Sequence, residues 1–266
     1  MKVHRITLAA LLAVPLLAQP QIGGGTCSSA TLSGNYSATL TGRDLSSAVT
    51  FTTTTEGVGS VTFDGLSKVT FTLTTNTNKT FGTAQTLAGT YSLQANCVGV
   101  VTITSGDAAS FTLEAYNQGK SYLLTGQDGV YGLSGSGSLL PATCPASITT
   151  GSYPFNGTGL ALTGSTISGI FNILGIVQFS GPSTIAINAF VAANGTSSNV
   201  SSTGTYTLGT SGTQTISQNC TATATLTDAL GNTYKLAFEF TSASGNNFIF
   251  SSASANGLYT ASGRSL

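Results

Sequence analysis

Charge is what this chain most lacks. Its 266 residues include eight Lys or Arg and eight Asp or Glu, 6% in all, against about a quarter in an ordinary soluble protein. With so few cations no basic patch can form, which excludes a nucleic-acid partner. Histidine is scarcer still: His4 stands alone. It lies in an N-terminal segment expected to be removed, so the mature chain would carry none. That excludes Ser-His-Asp and Cys-His catalysis, histidine general bases and histidine metal sites together. There are four cysteines and no CxxC pair, which argues against zinc. No Asp-x-Asp-x-Asp-Gly loop is present for calcium, and no strand, glycine loop and helix unit for phosphate. No cofactor and no metal are therefore expected. Long apolar runs are absent too. The one candidate, Ile6 to Ala18, is 13 residues long, too short for a membrane-spanning helix.

That run, preceded by Lys2, His4 and Arg5, reads as a secretory signal occupying residues 1–20. A lipid anchor on Cys27 is disfavoured, because Gly24-Gly25-Thr26 precedes it and no leucine-led box does.

What is abundant is Thr, Ser and Gly on the polar positions, beside an ordinary 40% of hydrophobic residues. Thr favours strands, and Gly and Asn favour turns, so the composition points to an all-β protein. The chain also repeats itself. Cys27 is followed nine residues later by Tyr36, and Cys144 nine residues later by Tyr153. Gly59-Ser60-Val61-Thr62-Phe63-Asp64-Gly65 matches Gly175-Ile176-Val177-Gln178-Phe179-Ser180-Gly181. Gly89-Thr90-Tyr91, leading to Asn96-Cys97, matches Gly204-Thr205-Tyr206, leading to Asn219-Cys220. Gly129-Val130-Tyr131 matches Gly257-Leu258-Tyr259. The same landmarks in the same order define two modules, residues 27–138 and 139–266. The stretch from Ser136 to Thr143 reads as the linker, loosened by Gly135-Ser136-Gly137-Ser138 and stiffened by Pro141. Each module is expected to fold by itself.

Four cysteines at equivalent places behind a signal peptide imply disulfides. Of the three possible pairings the repeat selects Cys27–Cys97 and Cys144–Cys220. Period-two alternation runs throughout, as in Tyr36, Ala38 and Leu40 or Phe111, Leu113 and Ala115, which is half-buried antiparallel strand. Asp64-Gly65 and Asn117-Gln118-Gly119-Lys120 mark tight turns. About eight short strands in series favour an up-and-down meander closed into a barrel, one per module, over a sandwich. The inward set is large: Tyr36, Leu40, Phe63, Phe71, Tyr91, Leu93, Phe111, Leu113 and Tyr131 in the first module, and Tyr153, Phe155, Phe179, Tyr206, Tyr234, Phe238 and Tyr259 in the second. Such side chains crowd a narrow barrel, so the interiors are expected to be more nearly filled than hollow.

The acids are Asp44, Glu56, Asp64, Asp107, Glu114, Asp128, Asp228 and Glu239. A glycosidase would need two of them astride one bond. Glu114 and Glu239 occupy comparable places and fall on polar strand faces, so both read as solvated surface charges. Asp64, Asp107 and Asp228 read as turn residues. The sequons at Asn35, Asn78, Asn156, Asn194, Asn199 and Asn219 matter only in a glycosylating host. Thr arrays such as Thr52 to Thr55 read as solvent faces of ordinary strands.

The series Gly-x-Tyr, Phe-Asp-Gly and Gly-Thr-Tyr with a following Asn-Cys resembles an uncharacterised kind of secreted bacterial β domain, over nearly all of the mature chain. The second copy departs from it at Ser180 and by an insertion before Cys220. The resemblance implies no activity. In outline the meander is similar to lipocalin or avidin barrels, which implies architecture alone. The expected function is a secreted or cell-envelope binding or structural protein without catalysis, its partner a small apolar ligand or an envelope component. The alternatives are an extracellular enzyme working through carboxylates and an outer-membrane β-barrel. Strands shorter than the 9–11 residues a bilayer requires weigh against the last.

Overall fold

The computed structural model describes residues 26–44, 54–77, 80–106, 108–145, 147–148, 150–163, 166–193, 195–208, 212–213, 220–254 and 257–264. The signal segment and Asp107 lie outside them. The first barrel is built from β1 (Ser33–Asp44), β2 (Thr54–Asp64), β3 (Lys68–Thr77), β4 (Thr80–Leu93), β5 (Val98–Ser105), β6 (Ala109–Tyr116), β7 (Ser121–Gln127) and β8 (Tyr131–Ser138). After the short β9 (Thr143–Cys144), the second takes β10 (Gly151–Thr163), β11 (Thr166–Ser180), β12 (Thr184–Ala193) and β13 (Thr196–Leu208). It is completed by β15 (Thr221–Asp228), β16 (Thr233–Phe240), β17 (Asn247–Ser254) and β18 (Gly257–Arg264). Each is a closed antiparallel meander of eight strands, β1 returning to β8 and β10 to β18. The two-residue β14 (Gly212–Thr213), within the insertion, pairs with β9.

Closure leaves neither barrel an edge strand open for pairing. The disulfides are Cys27–Cys97 and Cys144–Cys220, spanning 70 and 76 residues. Asp64-Gly65 and Asn117-Gln118-Gly119 form the expected turns. Gly65, Asn117, Gln118 and Gly119 all have positive φ there.

Three sequence expectations need correction. The strands are not short: β1 has 12 residues, β10 has 13 and β11 has 15. Length therefore does not argue against a membrane barrel. The outward faces do for the first barrel, where Thr70, Thr72, Thr102, Thr112 and Thr125 stand between the inward apolar residues and a lipid-facing band would be apolar. Second, Gly135-Ser136-Gly137-Ser138 is not a flexible linker but part of β8, paired with both β7 and β1. Glycine is required there by closeness. A Cβ on Gly137 would lie 1.8 Å from the Ser37 carbonyl oxygen and 2.6 Å from the Tyr122 ring. Third, the last landmark of the repeat is out of register. Leu133 pairs with Gly42, and Tyr259 with Gly159. Tyr259 thus corresponds to Leu133, and the counterpart of Tyr131 is Gly257, two residues earlier.

The barrels lie side by side, with β16, β17 and β18 against β2. Outward residues that would normally be solvated are buried at this contact: Glu56, Val58 and Ser60 on β2, Ala237 and Glu239 on β16, Ser251 and Ala253 on β17. Asn76 on β3 donates through Nδ2 to Ser251 Oγ at 3.1 Å, tying one barrel to the other.

Candidate functional site

The first barrel is closed at one end and hollow at the other. At the closed end four rings meet edge-on. Phe63 lies 4.9 Å from Tyr91, 5.5 Å from Tyr36 and 5.6 Å from Tyr122, centroid to centroid. A buried tyrosine hydroxyl needs an acceptor, and each finds one. Tyr36 donates to the Gly119 carbonyl at 2.6 Å, and Tyr122 to that of Ser37 at 3.0 Å. Tyr91 donates to those of Ser29 and Leu32 at 2.8 and 2.9 Å. Burial, with Asp64's charge behind it, pushes the Tyr91 hydroxyl up to about 12.

Toward the other end the inward residues shrink. Thr55 and Gly57 on β2 face the interior, where a wall of Phe71, Leu73, Leu87, Ile103 and Phe111 leaves a cavity of about 190 Å³. The rim is polar: Thr55, Thr75, Thr77, Gln85 and Asp128. Thr77 donates to Thr55 across it at 3.3 Å. Asp128 is held by the β7–β8 turn, its Oδ1 accepting the amides of Val130 at 2.8 Å and Tyr131 at 2.6 Å. Its Oδ2 takes no bond from any described residue. Among the described residues the site is thus an apolar cup with neutral hydrogen-bonding groups and one carboxylate at its mouth. The filled interior expected from the sequence holds for the closed half of this barrel only. Leu40 and Tyr131, expected in the core, are partly buried cup-lining residues.

The other acids whose side chains are described do not converge on this cup. Asp64 Oδ1 accepts the amides of Leu66, Ser67 and Lys68 in the β2–β3 turn. Desolvation raises its carboxyl, but those amides and the Lys68 charge outweigh it and hold the group below its usual range. Asp228 clamps the β15–β16 turn. The Asn232 side-chain amide, with the backbone amides of Asn232 and Leu230 and the Tyr234 hydroxyl, holds its carboxyl low. Glu56 accepts from Thr41 Oγ1 at 3.0 Å. Among the described residues, no three of His, Cys, Asp and Glu are grouped to hold a metal ion.

Glu239 is the second correction among the sequence-predicted groups. Register confirms its correspondence with Glu114, since Val98 pairs with Glu114 as Thr221 pairs with Glu239. Glu114 is half-buried, whereas Glu239 is 0% exposed at the contact between the barrels, not solvated. Neither carboxyl oxygen has a hydrogen-bond partner in good geometry. Burial drives its pKa well above the normal range, and the nearby Cys220 amide offsets little of that. A carboxyl in that setting stays protonated.

Sequence reasoning did not find the cup. Its signal was there in Thr55 and Gly57, inward positions of a strand pattern held by small side chains.

No family model matches this chain, and no curated protein matches it. Among solved structures it is similar to the isotype 1 transferrin binding protein B from serogroup B Neisseria meningitidis. The likeness has a TM-score of 0.26 and 11% identity, over 88% of this chain and 77% of that one.

Proposed function

We propose that this is a secreted or cell-envelope protein without catalysis, which holds a small apolar ligand in the cup of its first barrel. The carrying observation is the cavity of about 190 Å³ between Thr55 and Phe71. An engineered cavity of about 150 Å³ lined by apolar side chains stays dry and takes benzene, so this cup has room for a ring or short chain somewhat larger. Its mouth adds a preference. A ligand with an apolar body and one donor, an amine or a hydroxyl, would place that donor on the Asp128 carboxylate, whose Oδ2 takes no bond from any described residue. A carboxylic acid would be repelled there.

The two disulfides suit a chain that works outside the reducing cytoplasm. The same bonds use every thiol, and once a signal segment carrying His4 is removed the mature chain has no histidine to serve as a base. Among the described acids, Asp64, Asp128 and Asp228 each serve a different turn.

The test is ligand-observed NMR with indole, octanol, octylamine and octanoate. The reading expects saturable binding of the apolar probes, tighter for octylamine than for octanoate, with the difference reduced by Asp128→Asn. Absence of binding by all four would refute the cup as a ligand site.

A further inference from the structure

A second concavity lies outside the barrels, where they diverge from their contact. One wall is the outward face of β1 and β8, with Thr39, Thr41 and Ser136. The other is the outward face of β10, β11 and β12, with Asn156, Asn172, Leu174 and Phe190. Two contiguous hollows of about 590 and 870 Å³ share Thr39, Ser136, Asn156, Leu174 and Ile249. Together they make an elongated groove.

Its chemistry is specific in three respects. First, none of its described lining residues is charged. Second, Leu174 and Phe190 are direct cross-strand partners, 62% and 49% exposed. They form an exposed apolar platform. Third, that platform is flanked by unspent amides. Asn156 pairs in register with Leu174, and Asn172 lies two residues before it. Neither side chain hydrogen-bonds to any other described residue.

We propose that this groove binds a neutral carbohydrate chain. A sugar ring presents an apolar C–H face, which can lie on Phe190 and Leu174. It also presents vicinal hydroxyls, each both donor and acceptor, which match amide side chains and the Thr and Ser hydroxyls opposite. The other polymer classes fit less well. An anionic chain finds no cation among the described lining residues. A peptide strand cannot extend either sheet, because both barrels are closed. A wholly apolar partner would bury the Asn156 and Asn172 amides without partners.

The experiment uses the full chain and three neutral probes, maltohexaose, cellohexaose and N-acetylchitohexaose, followed by amide chemical-shift titration. At least one should bind saturably, with shifts at Thr39, Asn156, Leu174 and Phe190 and none around Phe71. Phe190→Ala and Asn172→Ala, both at exposed positions that leave the fold intact, should each weaken binding about tenfold. Thr55→Phe, in the cup, should leave it unchanged. The proposal is overturned if none of the probes shifts the groove at up to about 10 mM. It is also overturned if Phe190→Ala leaves the affinity unaltered, or if an uncharged apolar peptide binds the groove in preference to every sugar.

Discussion

The two barrels have the same strand order and equivalent disulfides, yet they carry different inward side chains along the barrel. From the middle toward the closed end, the pairs Leu113–Leu124 and Ala115–Tyr122 of the first barrel become Phe238–Phe250 and Phe240–Phe248 in the second. The four phenylalanines form one cluster, with centroids 5.1 Å apart for Phe238 and Phe250 and 5.6 Å for Phe238 and Phe248. At the cup end the contrast is between β2 and its counterpart β11. Leu40 faces Gly57 and Gly42 faces Thr55 in the first barrel, where Gly157 faces Ile173 and Gly159 faces Phe171 in the second. Leu40 and Leu73 exceed their counterparts Gly157 and Ala189, so the exchange is partly compensated. The lesson is that the repeat preserves the β scaffold while the inward residues change in size from one barrel to the other.

The comparison breaks hardest where both barrels need glycine. Gly59 and Gly175 correspond, and a Cβ on them would meet a neighbouring carbonyl oxygen at 2.1 and 2.5 Å. Gly137 is tighter still. Gly137→Ala should therefore be the most damaging change, beyond the roughly 4–5 kcal/mol that marks an exceptional point mutation. Loss of a cooperative urea transition would show it.

Next comes the difference in packing. Phe238→Ala, in the phenylalanine cluster, should cost about 3–5 kcal/mol, as large core truncations do. Phe71→Ala removes a ring that already borders empty space, so its cost should fall at or below the bottom of that range, and the cup should enlarge. Denaturant melts of both variants would test the ordering. Equal losses would mean that the first barrel is as well packed as the second.

Glu239 sharpens the comparison through pH. At a pH below about 4.3, the value for a carboxyl in an unfolded chain, folded and unfolded states both carry its proton. Above it the unfolded state releases the proton while the buried carboxyl keeps it. Stability therefore declines as pH rises, by about 1.4 kcal/mol per unit, until the folded group ionises. Glu239→Gln should remove that decline, so the variant gains on the parent protein between pH 5 and pH 7. The matching Glu114→Gln should stay within about 0.5 kcal/mol, as surface substitutions do.

Much of the scaffold was legible in the sequence because its signals are local. Alternation, Asp-Gly and Gly-Thr-Tyr each act within a few residues, and the cysteine pairing followed from the repeat. What failed depends on neighbours distant in sequence. Gly137 looked like linker because nothing in the chain announces the Ser37 carbonyl and the Tyr122 ring pressed against it. Glu239 looked solvated because alternation gives the face of a strand, not what covers that face. The shift of Tyr259 against Tyr131 escaped because both stand in similar Gly-rich strings. The cup was hidden for a different reason. The large inward residues were conspicuous, while the space depends on the small ones, Thr55 and Gly57, which a search for bulk passes over. Phe248 and Phe250 were missed in the same way, their alternation lying in a short strand after an Asn pair.

The measurement that tests the central claim most directly is apolar ligand uptake by Thr55→Phe beside the parent protein. Thr55 corresponds to Phe171, so the substitution transplants the second barrel's solution into the first. Its ring would occupy part of the cavity of about 190 Å³. The account predicts saturable one-to-one binding of indole or octylamine by the parent, at least tenfold weaker binding by Thr55→Phe, and equal or greater stability of the variant in urea. Binding that survives unchanged in Thr55→Phe, or a parent protein that binds neither probe, would contradict it.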